Sequence, residues 1–248
     1  MRGAVQIWHI SLQVHSDKLL NGYYDCLSQD EEAKANRFRF PEDRRRFIVA
    51  RGTLRHLLGR QFDQRPEAVT FCYGTYGKPS VGFINEAQKM TSASFASRSL
   101  ASSQCDFHFN LSHSGEMAVC ALGYDRKVGI DIEQIKPIKR LDSLMKRTLV
   151  SNEQTQVEAK CESAQSRAFL QRWTCKEAYL KAIGLGLTQS MQTIEVQLSP
   201  PELLRVPEGC EEGWQLHLLA LPEDYVGALT VAGQVEVTTH QWPHNAIA

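Results

Sequence analysis

The stretch KVGIDIEQI, residues 127 to 135, puts Val128, Ile130 and Ile132 on one face of a strand and Asp131 and Glu133 on the other. Side chains alternate across a strand, so the two carboxylates lie about 6–7 Å apart on one face. Two acids so placed can hold a cation between them; the same alternation is also what a half-solvated antiparallel strand shows. A second stretch, SRAFLQRWTCKEAYLKAIG, sets Phe169, Trp173, Leu180 and Ile183 at helical spacing, with Glu177 beside that apolar stripe and Lys181 one turn later. Glu177 and Lys181 read as an i,i+4 surface ion pair or as two separate tools, an acid for a metal and an ammonium for a phosphate oxygen. A hard divalent cation such as magnesium wants several oxygens, substrate phosphate among them. Three carboxylates and a lysine therefore suit phosphoryl transfer, where positioning and charge neutralisation do most of the catalysis.

Other stretches offer phosphate ligands. FNLSHSGE, 109 to 116, brings Asn110, Ser112 and His113 to a strand end and a turn, where they serve either the hairpin or an anion. Adjacent residues on an extended chain point apart, so His113 is not placed to be the base of Ser112, and there is no G-x-S-x-G elbow. YGTYGKPS sets Lys78 in a Gly/Pro turn, where backbone can approach a flat ligand closely. Between Lys34 and Arg65 there are ten Lys or Arg against three acids, Arg44, Arg45, Arg46 and Arg51 among them. That excess could meet a compact anion.

The elements that must carry these residues are legible from periodicity. A strand is expected over about 4–14, then a helix from Ser28, with Glu31 at the capping-box distance. A second helix follows in PEDRRRFIVARGTLRHLLGRQF. AVTFCY is a strand, GTYGKPS a turn, and FHFNLS and MAVCALGY are strands joined around HSGE. The Ser/Ala-rich segment 91–104 reads as a loop. A shift of 125 residues lays RGTLRHLLG on KEAYLKAIG and VTF on IEV, and a hairpin closes each half. The expected architecture is thus α+β, a duplication of two related α/β halves, 1–125 and 126–248.

Bulk properties exclude several classes. The 248 residues carry 28 basic and 28 acidic side chains, so the chain as a whole is no binder of nucleic acid or other polyanions. No apolar run approaches the roughly 18 residues of a membrane helix. Seven cysteines form no C-x-x-C pair and read as reduced thiols of a cytoplasmic protein.

FNLSHSG, VGIDIE and WTCKEAYLK, in this order, resemble the signature of the 4'-phosphopantetheinyl transferases of the long, Sfp-type class, and RFRFPEDRRRF and YGKP extend the likeness, especially to cyanobacterial members. The resemblance implies a pseudo-two-fold fold with the active site in the cleft between the halves, and transfer of phosphopantetheine from coenzyme A to a serine of an apo acyl or peptidyl carrier protein, by a monomer that holds both halves of the cleft. It implies that Asp131, Glu133 and Glu177 hold magnesium, or manganese, on the pyrophosphate, and that Glu177 helps deprotonate the serine, directly or through water. Lys181 would assist the leaving phosphate. Ser112 and His113 match positions that contact coenzyme A phosphates, Lys78 the turn beside the adenine, and Lys34 a basic phosphate contact. Glu31 stands where Sfp-type proteins can carry a second lysine, which leaves Arg46 to compensate. Two other readings share these residues: a metal-dependent phosphoesterase acting on coenzyme A, and a coenzyme A-binding protein without catalysis.

Overall fold

A computed structural model describes residues 4–82, 107–185, 189–210 and 213–244. The Ser/Ala-rich segment 91–104 lies outside them. In the first half, β1 (Ala4–Ser11) leads to α1 (Asp17–Tyr24), α2 (Gln29–Ala35) and the long α3 (Pro41–Phe62), then the pair β2 (Thr70–Tyr73) and β3 (Pro79–Gly82) and the hairpin β4 (Phe107–Ser114) and β5 (Met117–Tyr124). The order then repeats. β6 (Val128–Gln134) precedes α4 (Leu141–Thr148), α5 (Ser151–Glu158) and the long α6 (Glu162–Ile183), the pair β7 (Glu195–Leu198) and β8 (Pro201–Arg205), and the hairpin β9 (Trp214–Leu218) and β10 (Tyr225–Ala232). α3 and α6 are both 22 residues long. Sheet order repeats as well: β1-β5-β4 in the first half corresponds to β6-β10-β9 in the second. This is the α+β duplication expected from the 125-residue shift.

One element breaks the repeat. β11 (Glu236–Gln241) leaves the second half and pairs in parallel with β1, Val5 opposite Val237 and His9 opposite Gln241. Just beyond it, the Trp242 indole is buried and donates to the Tyr23 hydroxyl at 2.8 Å. We propose the Asp125–Lys127 turn as the boundary of the halves, a boundary that β11 crosses.

The layers follow from alternation. On the first sheet, Ile10, Phe109, Cys120 and Leu122 pack with Ile48, Leu54 and Leu58 of α3. Its other face, Val5, Ile7, Val119 and Ala121, meets Val128, Ile130, Ile132, Leu229 and Val231 of the second sheet. Burial on both faces is why MAVCALG is almost uninterruptedly apolar. Each Val, Leu, Ile or Phe among them contributes about 1.5–3 kcal/mol when fully buried. The far face of the second sheet packs on α6 through Cys175, Ala178, Tyr179 and Leu180.

The order of layers from α3 to α6 decides which way the acids of β6 point. Val128, Ile130 and Ile132 go into the sheet-to-sheet core, so Gly129, Asp131 and Glu133 face α6. At Gly129 a Cβ would stand 2.1 Å from the Ala178 carbonyl oxygen and 2.3 Å from the Ala182 nitrogen. Only a residue without a side chain lets the helix lie this close to the strand. The half-solvated-strand reading fails for Asp131, which is 4% exposed, whereas Glu133 is half-buried.

Candidate active site

The seam between β6 and α6 brings three predicted residues together at once. Lys181 donates to Asp131 Oδ1 at 2.6 Å, to Ser112 Oγ at 3.0 Å and to the Ile130 carbonyl at 3.4 Å. Ser112, from β4, donates in turn to Asp131 Oδ1 at 2.8 Å. Lys181 thus sits across strand and helix on Asp131 rather than one turn along its own helix. The second oxygen, Asp131 Oδ2, is buried and accepts no hydrogen bond from the described residues. Leaving a buried carboxylate oxygen unsatisfied costs free energy that a cation would recover.

Glu177 lies on the same seam. Burial, then the nearby Asp131 charge, push its carboxyl up to about 7, and Glu133 adds to the effect against the pull of Lys181. Burial also raises Glu133, opposed by the hydrogen bond that Ser114 donates to its Oε2 at 2.7 Å. The Asp131 charge raises the pKa of both Glu133 and Glu177, the mark of a site short of positive charge. Among the described residues no group of three or more Asp, Glu, His or Cys side chains is gathered closely enough to hold a metal ion by itself.

A second group surrounds His113. Its neighbour Ser112 is buried while His113 itself keeps contact with solvent, as alternation on β4 requires. Even so, the surrounding protein lowers the His113 pKa, and the charges of Lys181, Arg46 and Lys34 lower it further. A cavity of about 240 Å³ opens here, lined by Lys34, Phe47, Arg51, Tyr73, Leu111 and His113, among others. Lys34 lies over the Phe47 ring at 5.1 Å. Arg46 is held by two acids: it pairs with Glu116 and, at 2.9 Å, with Asp43. Arg45 joins the same Glu116 carboxylate at 2.9 Å.

Lys78 is placed differently from a free charge in a turn. Its ammonium donates to the carbonyls of Val128 at 3.1 Å and Ala182 at 3.0 Å, linking the β2–β3 turn of the first half to β6 and α6 of the second. Burial, with Lys127 nearby, lowers its pKa to about 8. It also lines a cavity of about 350 Å³ with Tyr76, Phe107, Phe109 and Gly184.

Sequence reasoning missed two features. One is that Asn110, Ser112 and Ser114, at alternate positions of β4, all reach β6: the Ile130 amide donates to Asn110 Oδ1 at 2.8 Å, and Ser114 contacts Glu133. Their i, i+2, i+4 spacing was the available signal. The other is the role of Glu31. Its carboxylate accepts from the Ser28 amide at 3.0 Å, from Arg55 at 2.6 Å and from Arg51. In the second half Glu153 repeats this, accepting from the Val150 amide at 3.0 Å and from buried Lys176 at 2.5 Å. Glu31 is thus the first half's counterpart of an acid that ties a short helix to the long one.

Two similar halves thus meet at a seam where one buried acid, two half-buried acids and a lysine gather between strand and helix. Residues 15–123 match the family model "4'-phosphopantetheinyl transferase, N-terminal", and residues 127–230 match that of the 4'-phosphopantetheinyl transferase superfamily. The 4'-phosphopantetheinyl transferase HetI of the cyanobacterium Nostoc sp. is 38% identical over 229 residues, covering 92% of this chain and 88% of its own. The 4'-phosphopantetheinyl transferase psf-1 of Bacillus pumilus is 31% identical, over 82% of this chain and 80% of its own. Sfp of Bacillus subtilis is 28% identical, over 71% and 68%. The chain belongs to the 4'-phosphopantetheinyl transferase superfamily and is of the Sfp type, an enzyme of the transferase class.

Proposed function

We propose that the chain moves the 4'-phosphopantetheine group of coenzyme A to a serine of an apo acyl or peptidyl carrier protein and releases adenosine 3',5'-bisphosphate. The observation that supports this most is the Asp131, Glu177 and Lys181 constellation at the β6–α6 seam, in a chain of this family. The carrier serine oxygen bonds to the phosphorus that bears pantetheine, and the bond from that phosphorus to the bisphosphate oxygen breaks. Glu177 takes the serine proton, directly or through water. Lys181 moves from Asp131 to the leaving phosphate and stabilises its charge. Ser112 and His113, with Lys34 and Arg46 behind them, bind the phosphates of coenzyme A, and Lys78 shapes the turn against its adenine.

Asp131, Glu133 and Glu177 fit magnesium, with manganese as a substitute: Asp131 Oδ2 is a buried oxygen with no hydrogen-bond partner among the described residues, and the Asp131 charge raises the pKa of both Glu133 and Glu177. Such a cation binds through one or two carboxylates plus substrate phosphate, so no closed protein cage is needed. When bound it neutralises the pyrophosphate. Both halves of the cleft lie in one chain, which makes a monomer sufficient, and no helix among the described residues is long and apolar enough to cross a membrane. We place its work in the cytoplasm, where carrier proteins and coenzyme A meet.

The test is an intact-mass assay with coenzyme A, magnesium and an apo acyl carrier protein, and the expected result is the phosphopantetheine mass increment on the carrier. Release of free 4'-phosphopantetheine without a modified carrier would mean a phosphoesterase. Binding of coenzyme A that survives chelation, with no product, would mean a binding protein.

A pH dependence follows from Glu177. Below about 7 its carboxyl keeps a proton and can neither accept one nor ligate a cation; above that it is charged. At limiting magnesium, kcat/KM is expected to rise with pH through this region. The midpoint should fall as magnesium is raised, since a cation favours the charged carboxylate. A profile whose midpoint ignores magnesium would remove Glu177 from the metal site.

A further inference from the structure

β4 and β6 belong to different sheets, yet they run side by side across the join of the two halves. What links them here is a ladder of side chains. At one rung the Ile130 amide donates to Asn110 Oδ1 at 2.8 Å. At the next, Ser112 donates to Asp131 Oδ1 at 2.8 Å and accepts from Lys181 at 3.0 Å. At the third, Ser114 donates to Glu133 Oε2 at 2.7 Å and accepts from the Gln134 amide at 3.0 Å. Each serine therefore spends its one donor on a carboxylate and an acceptor lone pair on a nitrogen.

The third rung is braced from behind. The turn after Ser114 is so close to β6 and β10 that a Cβ at Gly115 would stand 2.4 Å from Gln134 Oε1 and 2.8 Å from the Tyr225 hydroxyl. The Glu116 amide donates to that hydroxyl at 3.2 Å, and Glu116 is itself held by Arg45 and Arg46 of α3. Ser114 is thus a fixed point, whereas the Glu133 carboxylate stands at the end of three rotatable bonds.

We propose that Ser114 is a positioning residue that fixes the Glu133 carboxylate in the ligand set of the divalent cation. The proposal rests on the reading of Asp131, Glu133 and Glu177 as that set. Ser114 acts on metal affinity and not on the chemical step, because it touches the ligand and not the reacting atoms. Hydrogen bonds of this kind to ligating groups are worth about 10–100-fold in metal affinity.

The experiment is a Mn2+ titration followed by electron paramagnetic resonance, with coenzyme A present, on wild type, Ser114→Ala, Ser114→Thr and Ser114→Val. Threonine and valine share a shape and differ by the hydroxyl, so their comparison isolates the hydrogen bond even if alanine disturbs the turn. Ser114→Ala and Ser114→Val are expected to bind Mn2+ about 10–100-fold more weakly than wild type, with Ser114→Thr close to it. Turnover at saturating magnesium should fall by much less than the metal affinity, since Ser114 touches a ligand and not the reacting atoms. Wild-type Mn2+ affinity in Ser114→Val, with or without a lower melting temperature, overturns the proposal. Asp131→Ala is the control that separates the two levels. If it too binds Mn2+ normally, the metal reading of the acids is what fails; if it loses the metal while Ser114→Val does not, only the positioning role fails.

Discussion

Alanine at Asp131 or at Glu177 is expected to lower transfer to the carrier by about 10³-fold or more, equivalent to about 4 kcal/mol of transition-state stabilisation. Each removes an oxygen ligand and a negative charge from a site that must meet a pyrophosphate. Neither change should unfold the chain. Glu177 is a carboxyl that burial and Asp131 already disfavour in its charged form, so its loss relieves repulsion. Without Asp131, the Lys181 ammonium keeps Ser112, and its side chain is 27% exposed to water. Glu133→Ala should be milder, because water can take the place of that ligand. The measurement is turnover at saturating magnesium beside a thermal melt. Two folded variants within about tenfold of wild type would contradict the assignment of both residues, since even one lost electrostatic partner of a transition state costs 10²–10³-fold as a rule.

The second large effect concerns stability. Lys176 is fully buried, donating to the carbonyls of Thr148 at 2.8 Å and Met191 at 3.2 Å, and its charge is met by Glu153 at 2.5 Å. Burial lowers the Lys176 pKa, and Glu153, more than Glu195, works against it. Glu153→Ala strands that ammonium and frees the amides of Val150 and Val196, both now bonded to the carboxylate at 3.0 Å. The expected cost is about 3–5 kcal/mol, the range for breaking one side of a buried pair. In a chain of this size that lowers Tm by about 10 °C, as about 2–4 °C accompany each kcal/mol. The double variant Glu153→Leu, Lys176→Met should recover much of the loss, since apolar residues of similar volume replace buried pairs without great penalty. A single variant melting within about 2 °C of wild type would show the pair to be dispensable, as that shift is under ~1 kcal/mol.

The two cases differ in how far the sequence could foretell them. Asp131, Glu133, Glu177 and Lys181 announce themselves because their spacing against apolar residues fixes a face, and the 125-residue shift announces the duplication because helical and strand periods recur together. What one strand's alternation cannot say is whether the opposite face meets solvent or a helix. The burial of Asp131 depends on Gly129 letting α6 approach, a contact between residues about fifty positions apart. Charge pairing is equally non-local. Arg46 reads as a loose cation in RRRF, yet Glu116 and Asp43 hold it. Glu31 reads as an acid in a phosphate-binding position, yet Arg51 and Arg55 converge on it from a different helix. Lys78 reads as a turn cation, yet two carbonyls of the other half receive it. In each case the partner is set by packing, which local periodicity does not encode.

The return of β11 to the first sheet also bears on the heredity of the chain. A gene cut at the Asp125–Lys127 join would yield one product in which β1 has lost its outer neighbour and presents bare amides and carbonyls along an edge, a template for unwanted pairing. The other product would carry β11 and Trp242 with no sheet edge and no Tyr23 to receive them. Fusion of two halves can be gained by a single joining event, but once the last strand has been exchanged, separation damages both parts together. The crossing strand makes the duplication a one-way step.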